Sequence, residues 1–153
     1  MASVVPYRRE YRADFARLNL AWIEQYFRVE EADREVFDDP EAAILEPGGE
    51  IFFVVEGGEV LGTCAVILHE PGVYEIAKMA VSPSARGRGY GDLLMEATTE
   101  FARRAGATKM VIVSNTVLTT AIRLYEKHGF VRVPLSHERF ARANIRLERE
   151  LAG

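Results

Sequence analysis

The chain has 153 residues, 48% of them hydrophobic, and a formal net charge of -4 at pH 7. That length and apolar share suffice for one domain over 1–153 with a buried core. The negative balance argues against a sequence-independent nucleic-acid partner, whose affinity comes from neutralising phosphates with Lys and Arg, and suits a cationic substrate.

The opening MASVVPYRREYR reaches charged residues after a short apolar run. No later stretch nears the roughly 18 uninterrupted apolar residues of a membrane span, so a soluble, unexported protein with no membrane partner is expected. The single cysteine, Cys64, has no partner for a disulfide or a CxxC motif. It agrees with a reducing, cytoplasmic setting and reads as a small buried apolar residue.

In chain order, a short strand is expected around Ser3 to Pro6. Phe15, Leu18, Trp22 and Tyr26 recur at helical spacing and predict a first helix over Tyr11 to Phe27, with a shorter one near Glu30 to Phe37. IFFVV, the pair Gly57 and Gly58, and EVLGTCAVIL form a hairpin signature, because paired glycines supply the positive φ of tight turns. Pro71 and Gly72 turn the chain into VYEIAKMAV, a third strand. A helix follows in which Leu94, Ala97, Phe101 and Ala105 make the apolar stripe, with Asp92 at its start, Arg103 and Arg104 at its end, and Gly106 as its stop. KMVIVSN reads as a buried strand, TTAIRLYEKHGF as a helix ending at Gly129. The closing segment alternates, with Ala141, Ala143, Ile145 and Leu147 on one face of a half-buried strand. The economical architecture is α+β: one mixed, mostly antiparallel sheet flanked by helices.

Gly87, Gly89 and Gly91 stand between a strand and a helix. Helix N-termini offer unpaired N–H groups, and residues without side chains let an anion approach them closely. Phosphate binding and a plain tight turn both fit. A P-loop needs GxxxxGK and then Ser or Thr, but Asp92 and Leu93 follow Gly91. A dinucleotide fingerprint needs GxGxxG with an acidic residue at the end of the next strand; here the spacing is GxGxG and that strand ends in Ser114 and Asn115.

Arg86, Gly89 and Gly91 fill the signature of the GNAT acetyltransferases. KMAVSPSARGRGYGDLLMEA and SNTVLTTAIRLYEKHGF resemble that family's cofactor segments, and the order of elements resembles its fold over nearly the whole chain. The resemblance implies acetyl-CoA as cosubstrate and no metal. It puts the pyrophosphate on the main chain of Arg86, Gly87, Arg88, Gly89, Tyr90 and Gly91, and the pantetheine amides beside Met79, Ala80 and Val81. Tyr125 matches the tyrosine that sits beside the cofactor sulfur, where its hydroxyl could protonate the thiolate; without the resemblance it reads as a core residue.

Acyl transfer to an amine needs a neutral nucleophile, oxyanion donors and a proton for the leaving thiolate. An alkylammonium of pKa about 10.4 is almost wholly protonated at neutral pH, so a base or a desolvated pocket must help. Glu75 is the candidate base, since strand alternation would set it on one face with Ala77, Met79 and Val81, where desolvation raises a carboxyl pKa. The alternative is a glutamate exposed to water or paired with a cation such as Lys78. Relatives often carry Glu twelve and Asn seven residues before the tyrosine, where this chain has Val113 and Leu118. Asn115 either replaces the missing cofactor contact or caps the strand exit.

His69, His128 and His137 lack ligand spacing and read as structural or surface residues, His128 beside a helix C-terminus. EEADREVFDDPE reads as a solvated acidic helix face, though it follows Trp22 and Tyr26 where the family builds its acceptor wall. The expected function is N-acetyl transfer to a primary amine of a small molecule or peptide. An idle acyl-CoA-binding or sensing module on the same fold is the alternative, and a homodimer stays open.

Overall fold

The structure is a computed structural model that describes residues 1–135 and 141–151. Strand β1 (Ser3–Pro6) leads through a 3₁₀ turn, Arg9–Tyr11, into α1 (Arg12–Tyr26) and α2 (Glu31–Asp38). A π-helical turn, Glu41–Leu45, precedes β2 (Glu50–Glu56), β3 (Glu59–Glu70) and β4 (Val73–Val81). Then come α3 (Tyr90–Arg104), β5 (Lys109–Ser114), α4 (Thr119–Lys127), β6 (Val131–Val133) and β7 (Ile145–Glu150). The strands form one sheet in the order β1-β2-β3-β4-β5-β7-β6. All neighbours are antiparallel except β4 and β5. The expected mixed, mostly antiparallel sheet flanked by helices is therefore what the chain forms. No helix among the described residues is long and apolar enough to cross a membrane.

Two apolar layers cover the sheet. On one face, α3 and α4 bring Leu94, Met95, Ala102, Ile122 and Tyr125 against Val54, Val66, Ile76, Met110, Ile112 and Leu147, and Cys64 is buried with them. On the other, α1 and α2 bring Phe15, Leu18 and Val36 against Ile51, Phe53, Ala65 and Ala80. Each fully buried aliphatic side chain contributes about 1.5–3 kcal/mol, so both layers stabilise the sheet.

Several boundaries differ from expectation for physical reasons. In α3 the buried stripe runs through Leu94, Met95, Thr98 and Ala102; Ala105 is the exposed C-cap. Thr98 fits inside because its hydroxyl donates to the carbonyls of Leu94 (2.9 Å) and Met95 (3.1 Å), while Phe101 lies edge-on to Phe52 and Tyr74. In α1 Phe15, Leu18 and Ile23 are buried, but Trp22 is half-buried and Tyr26 exposed. The last strand begins at Ile145, after Ala141 and Ala143, and the unforeseen β6 pairs with its outer edge. His137 lies outside the described residues.

The largest departure is in β4. Its pairing with β3 passes from Ala65↔Ala77 to Thr63↔Ala80, so Lys78 and Met79 stand opposite Cys64 alone. Lys78 carries φ +54° there. Such a bulge reverses the alternation. Tyr74 and Ile76 face the α3–α4 layer before it, whereas Met79 and Val81 face that layer after it and Ala80 faces α1–α2. Glu75 therefore does not share a face with Met79 and Val81 as simple alternation had it; it faces the α1–α2 layer.

Candidate functional site

Strands β4 and β5 pair only at Val73↔Lys109, Tyr74↔Met110 and Glu75↔Val111. Beyond Glu75 they part, and the gap between Ile76–Val81 and Ile112–Asn115 opens into a cavity of about 640 Å³. That volume suits a small-molecule site. A parted sheet also leaves one edge of β4 without a ladder partner, and unpaired main-chain groups inside a cleft favour a ligand that brings amides of its own.

One half of the cavity is the glycine loop. Gly87 and Gly89 both have φ +81°, and a Cβ on either would meet nothing within 4 Å. Gly89 is the N-cap of the 15-residue α3, with no side-chain cap, and the first helical bond runs from Leu93 N–H to the Gly89 carbonyl at 3.2 Å. The N–H groups of Tyr90, Gly91 and Asp92 thus precede the first helical donor, have no acceptor within the helix, and lie at the positive end of the helix dipole. Gly91 serves packing instead, since a Cβ there would come within 2.9 Å of Leu124; its absence lets α3 approach α4. Arg86, Gly87, Gly89, Tyr90 and Gly91 line the cavity. Arg88 instead turns to Glu56 (3.2 Å), which also accepts from the Tyr90 hydroxyl at 2.6 Å and so ties the loop to β2.

Met79, Ala80 and Val81 line the cavity next to this loop, as does Tyr125 from α4. Burial, and then the neighbouring Cys64, push the Tyr125 phenol well above its ordinary range, so it holds its proton at neutral pH. Asn115 also borders the cavity, but its amide donates to the Arg142 carbonyl (2.8 Å) and accepts from Val117 N–H (2.9 Å). Its side chain caps the strand exit. At the far end of the loop, Asp92 accepts from Lys127 at 2.8 Å and bonds His128 at 2.7 Å, which ties the start of α3 to the end of α4.

The other half is bounded by Trp22, Tyr26, Phe27, Glu75 and Arg142. Trp22 donates its ring N–H to Asn19 (3.0 Å) and meets Phe27 edge-on at 6.3 Å. The Arg142 guanidinium lies 5.9 Å from the Trp22 ring and 6.0 Å from the Phe27 ring. The cavity thus brings together Glu75, Met79, Ala80, Val81, Tyr125, the loop, Trp22 and Tyr26.

Sequence reading missed the charged node behind this half. The acidic segment is not simply a solvated face, because Asp33 is fully buried. Its carboxylate accepts from Lys78 (2.5 Å), from Arg142 (2.6 and 2.8 Å) and from the Glu30 N–H (2.8 Å). Burial alone would raise its pKa; the bonds from Arg142, Lys78 and Glu30 outweigh that and hold the carboxyl well below the usual range. Burial lowers the Lys78 ammonium, while Asp33 and, more weakly, Glu75 raise it. Two signals were available: the Glu30-to-Asp33 spacing of a capping box and a lysine among the apolar residues Ile76, Ala77, Met79, Ala80 and Val81 of β4. Among the described residues, no group of His, Cys, Asp or Glu could hold a metal ion.

Comparison with known proteins adds to this geometry. The sequence model described as "Acetyltransferase (GNAT) family" matches residues 15–130. Mycothiol acetyltransferase of Corynebacterium glutamicum is 35% identical over 81 residues, which are 53% of this chain and 28% of that protein. IAA acetyltransferase of Azospirillum brasilense is 36% identical over 74 residues, 48% of each chain. The chain thus spans less than half the length of either curated relative. A GNAT acetyltransferase structure from Staphylococcus aureus MU50 superposes with a TM-score of 0.90 at 17% identity, covering 99% of this chain and 100% of that one. YncA of Salmonella typhimurium, solved with its cofactor acetyl-CoA, gives 0.80 at 20%, covering 100% and 95%. At these identities the structural likeness shows the fold.

Proposed function

The chain belongs to the GNAT acetyltransferase family, and on that premise we propose that it transfers the acetyl group of acetyl-CoA to a primary amine of a small molecule or peptide. Bound acetyl-CoA supplies an activated acyl group as a thioester. The observation that carries the proposal is the parted β4–β5 edge running into an open glycine loop at a helix N-terminus. Such a site fits a ligand with amides at one end and a pyrophosphate at the other. The main chain of Met79, Ala80 and Val81 would hold the amides, and the N–H groups of the Arg86–Gly91 loop the phosphates.

Tyr125 donates a proton toward the sulfur end of the site, where its phenol is protonated at neutral pH. Glu75 accepts the proton that the amine must lose, directly or through water, from the acceptor half that it borders. Trp22 and Tyr26 supply an aromatic wall for the acceptor, which rotamer-poor rings can do at small entropic cost. One domain over 1–153 working in the cytoplasm is part of the same reading, on the strength of composition and the lone Cys64. The test is an amine-panel assay with detection of free thiol. Amine-dependent thiol release is the expected result; thiol release independent of every amine, or acetyl-CoA binding without release, would replace transfer by hydrolysis or sensing.

A further inference from the structure

Lys78 is the one residue other than glycine, among those described, with a positive φ. A side chain in the left-handed region persists where its surroundings over-determine it. Here the surroundings are ionic. The Lys78 side chain is 5% exposed and Asp33 0%, and their contact is 2.5 Å. Asp33 belongs to α2, and all four of its bonds are short. Oδ1 takes Lys78 Nζ and Arg142 Nη2, while Oδ2 takes Arg142 Nη1 and the Glu30 N–H. The same Arg142 lies against Trp22 and Phe27 of the acceptor wall.

The bulge also sits where the sheet opens. The last β4–β5 pair is Glu75↔Val111, three residues before Lys78, and a bulge bends its strand and re-aims the residues after it. Fold stability alone does not call for this arrangement. A glycine adopts φ +54° without a side chain to anchor, and apolar residues replace buried ion pairs with little or no loss of stability.

We propose that Lys78 is a positioning residue. Its ion pair with Asp33 pins the β4 bulge to α2, so the main chain on the cofactor side, Glu75, and the aromatic wall on the acceptor side keep one spacing. Small errors in that spacing matter, because displacement of about 1 Å can cost on the order of 10² in rate. The inference rests on the acetyl-transfer reading for its kinetic readout only.

Lys78→Met tests it, because Asp33 keeps Arg142 and the Glu30 N–H as partners. The expected result is a folded protein with kcat lowered by about 10- to 100-fold. Lys78→Gly, which relaxes the backbone as well as removing the anchor, should also lose kcat. Wild-type kcat in folded Lys78→Met would overturn the proposal. Should the wild type acetylate no amine, the transfer reading fails while amide hydrogen exchange still decides this one. Exchange at 76–81 should accelerate in Lys78→Met with α3 unchanged; equal exchange in both proteins would overturn the pin.

Discussion

Replacing Gly89 by valine separates the cost of a strained backbone from the loss of a binding surface, because the fold contains a matched control. Gly89 has φ +81° and Gly106 has φ +82°, and a Cβ on either meets nothing within 4 Å. Gly89 opens α3 inside the cavity, whereas Gly106 follows its C-terminal end. Valine at either position is forced into the left-handed region at about 1–2 kcal/mol. At this chain length each 1 kcal/mol lowers the melting temperature by roughly 2–4 °C. Both variants should therefore melt about 2–8 °C below the wild type without ligand. With acetyl-CoA at about 100 times the wild-type Kd, the wild type and Gly106→Val should each regain about 2.7 kcal/mol. In Gly89→Val the branched side chain fills the space before the Tyr90, Gly91 and Asp92 N–H groups. If affinity falls about 100-fold, the same ligand returns only about 0.4 kcal/mol. NAD and ATP should stabilise none of the three comparably. The assay is a thermal melt with each ligand. An equal acetyl-CoA shift in the two valine variants would remove the glycine loop from the cofactor site.

Tyr125→Phe should lower kcat by about 10² with acetyl-CoA affinity retained, since a thiolate proton donor acts as charge develops at sulfur; unchanged kcat with chemistry rate-limiting would leave Tyr125 a core residue. Glu75→Gln keeps the shape but accepts no proton, so turnover at neutral pH should fall and the rising acidic limb flatten, measured with saturating acetyl-CoA and an amine of known titration. Identical limbs and rates would exclude Glu75 as the base, and a change in amine KM alone would make it a cation-binding residue. Because the folded Asp33 carboxyl is held below its unfolded value, its contribution is full well above pH about 3.9 and is lost progressively as pH falls from there toward the lower folded value. Thermal melts from pH 6 to pH 3 should show a steeper loss in the wild type than in Asp33→Asn/Lys78→Met; parallel losses would refute that linkage.

What the sequence revealed and what it hid divide along physical lines. The turn-forming elements are local: the hairpin at Gly57 and Gly58, Gly87 and Gly89 of the glycine loop, and the caps at Gly106 and Gly129 all have positive φ. The mixed sheet followed from the order of these elements. The bulge was illegible because Lys78 has no glycine to mark it, and alternation read straight through it misplaced Glu75 by one face. The Asp33 node joins residues 45 and 109 positions apart. No short-range pattern reports such pairing, so the acidic run looked solvated. Asn115 offered two readings, and only the Arg142 carbonyl beside it shows which bonds its amide makes.

In the proposed reaction an acetyl group passes from sulfur to nitrogen in the parted sheet. Incubation with acetyl-CoA carrying a labelled acetyl carbon and the best amine of a panel, followed by mass spectrometry and thiol titration, tests it most directly. Labelled amide and free thiol are expected in equal amounts, both sharply reduced in Tyr125→Phe. Free thiol with labelled acetate and no labelled amide would contradict it.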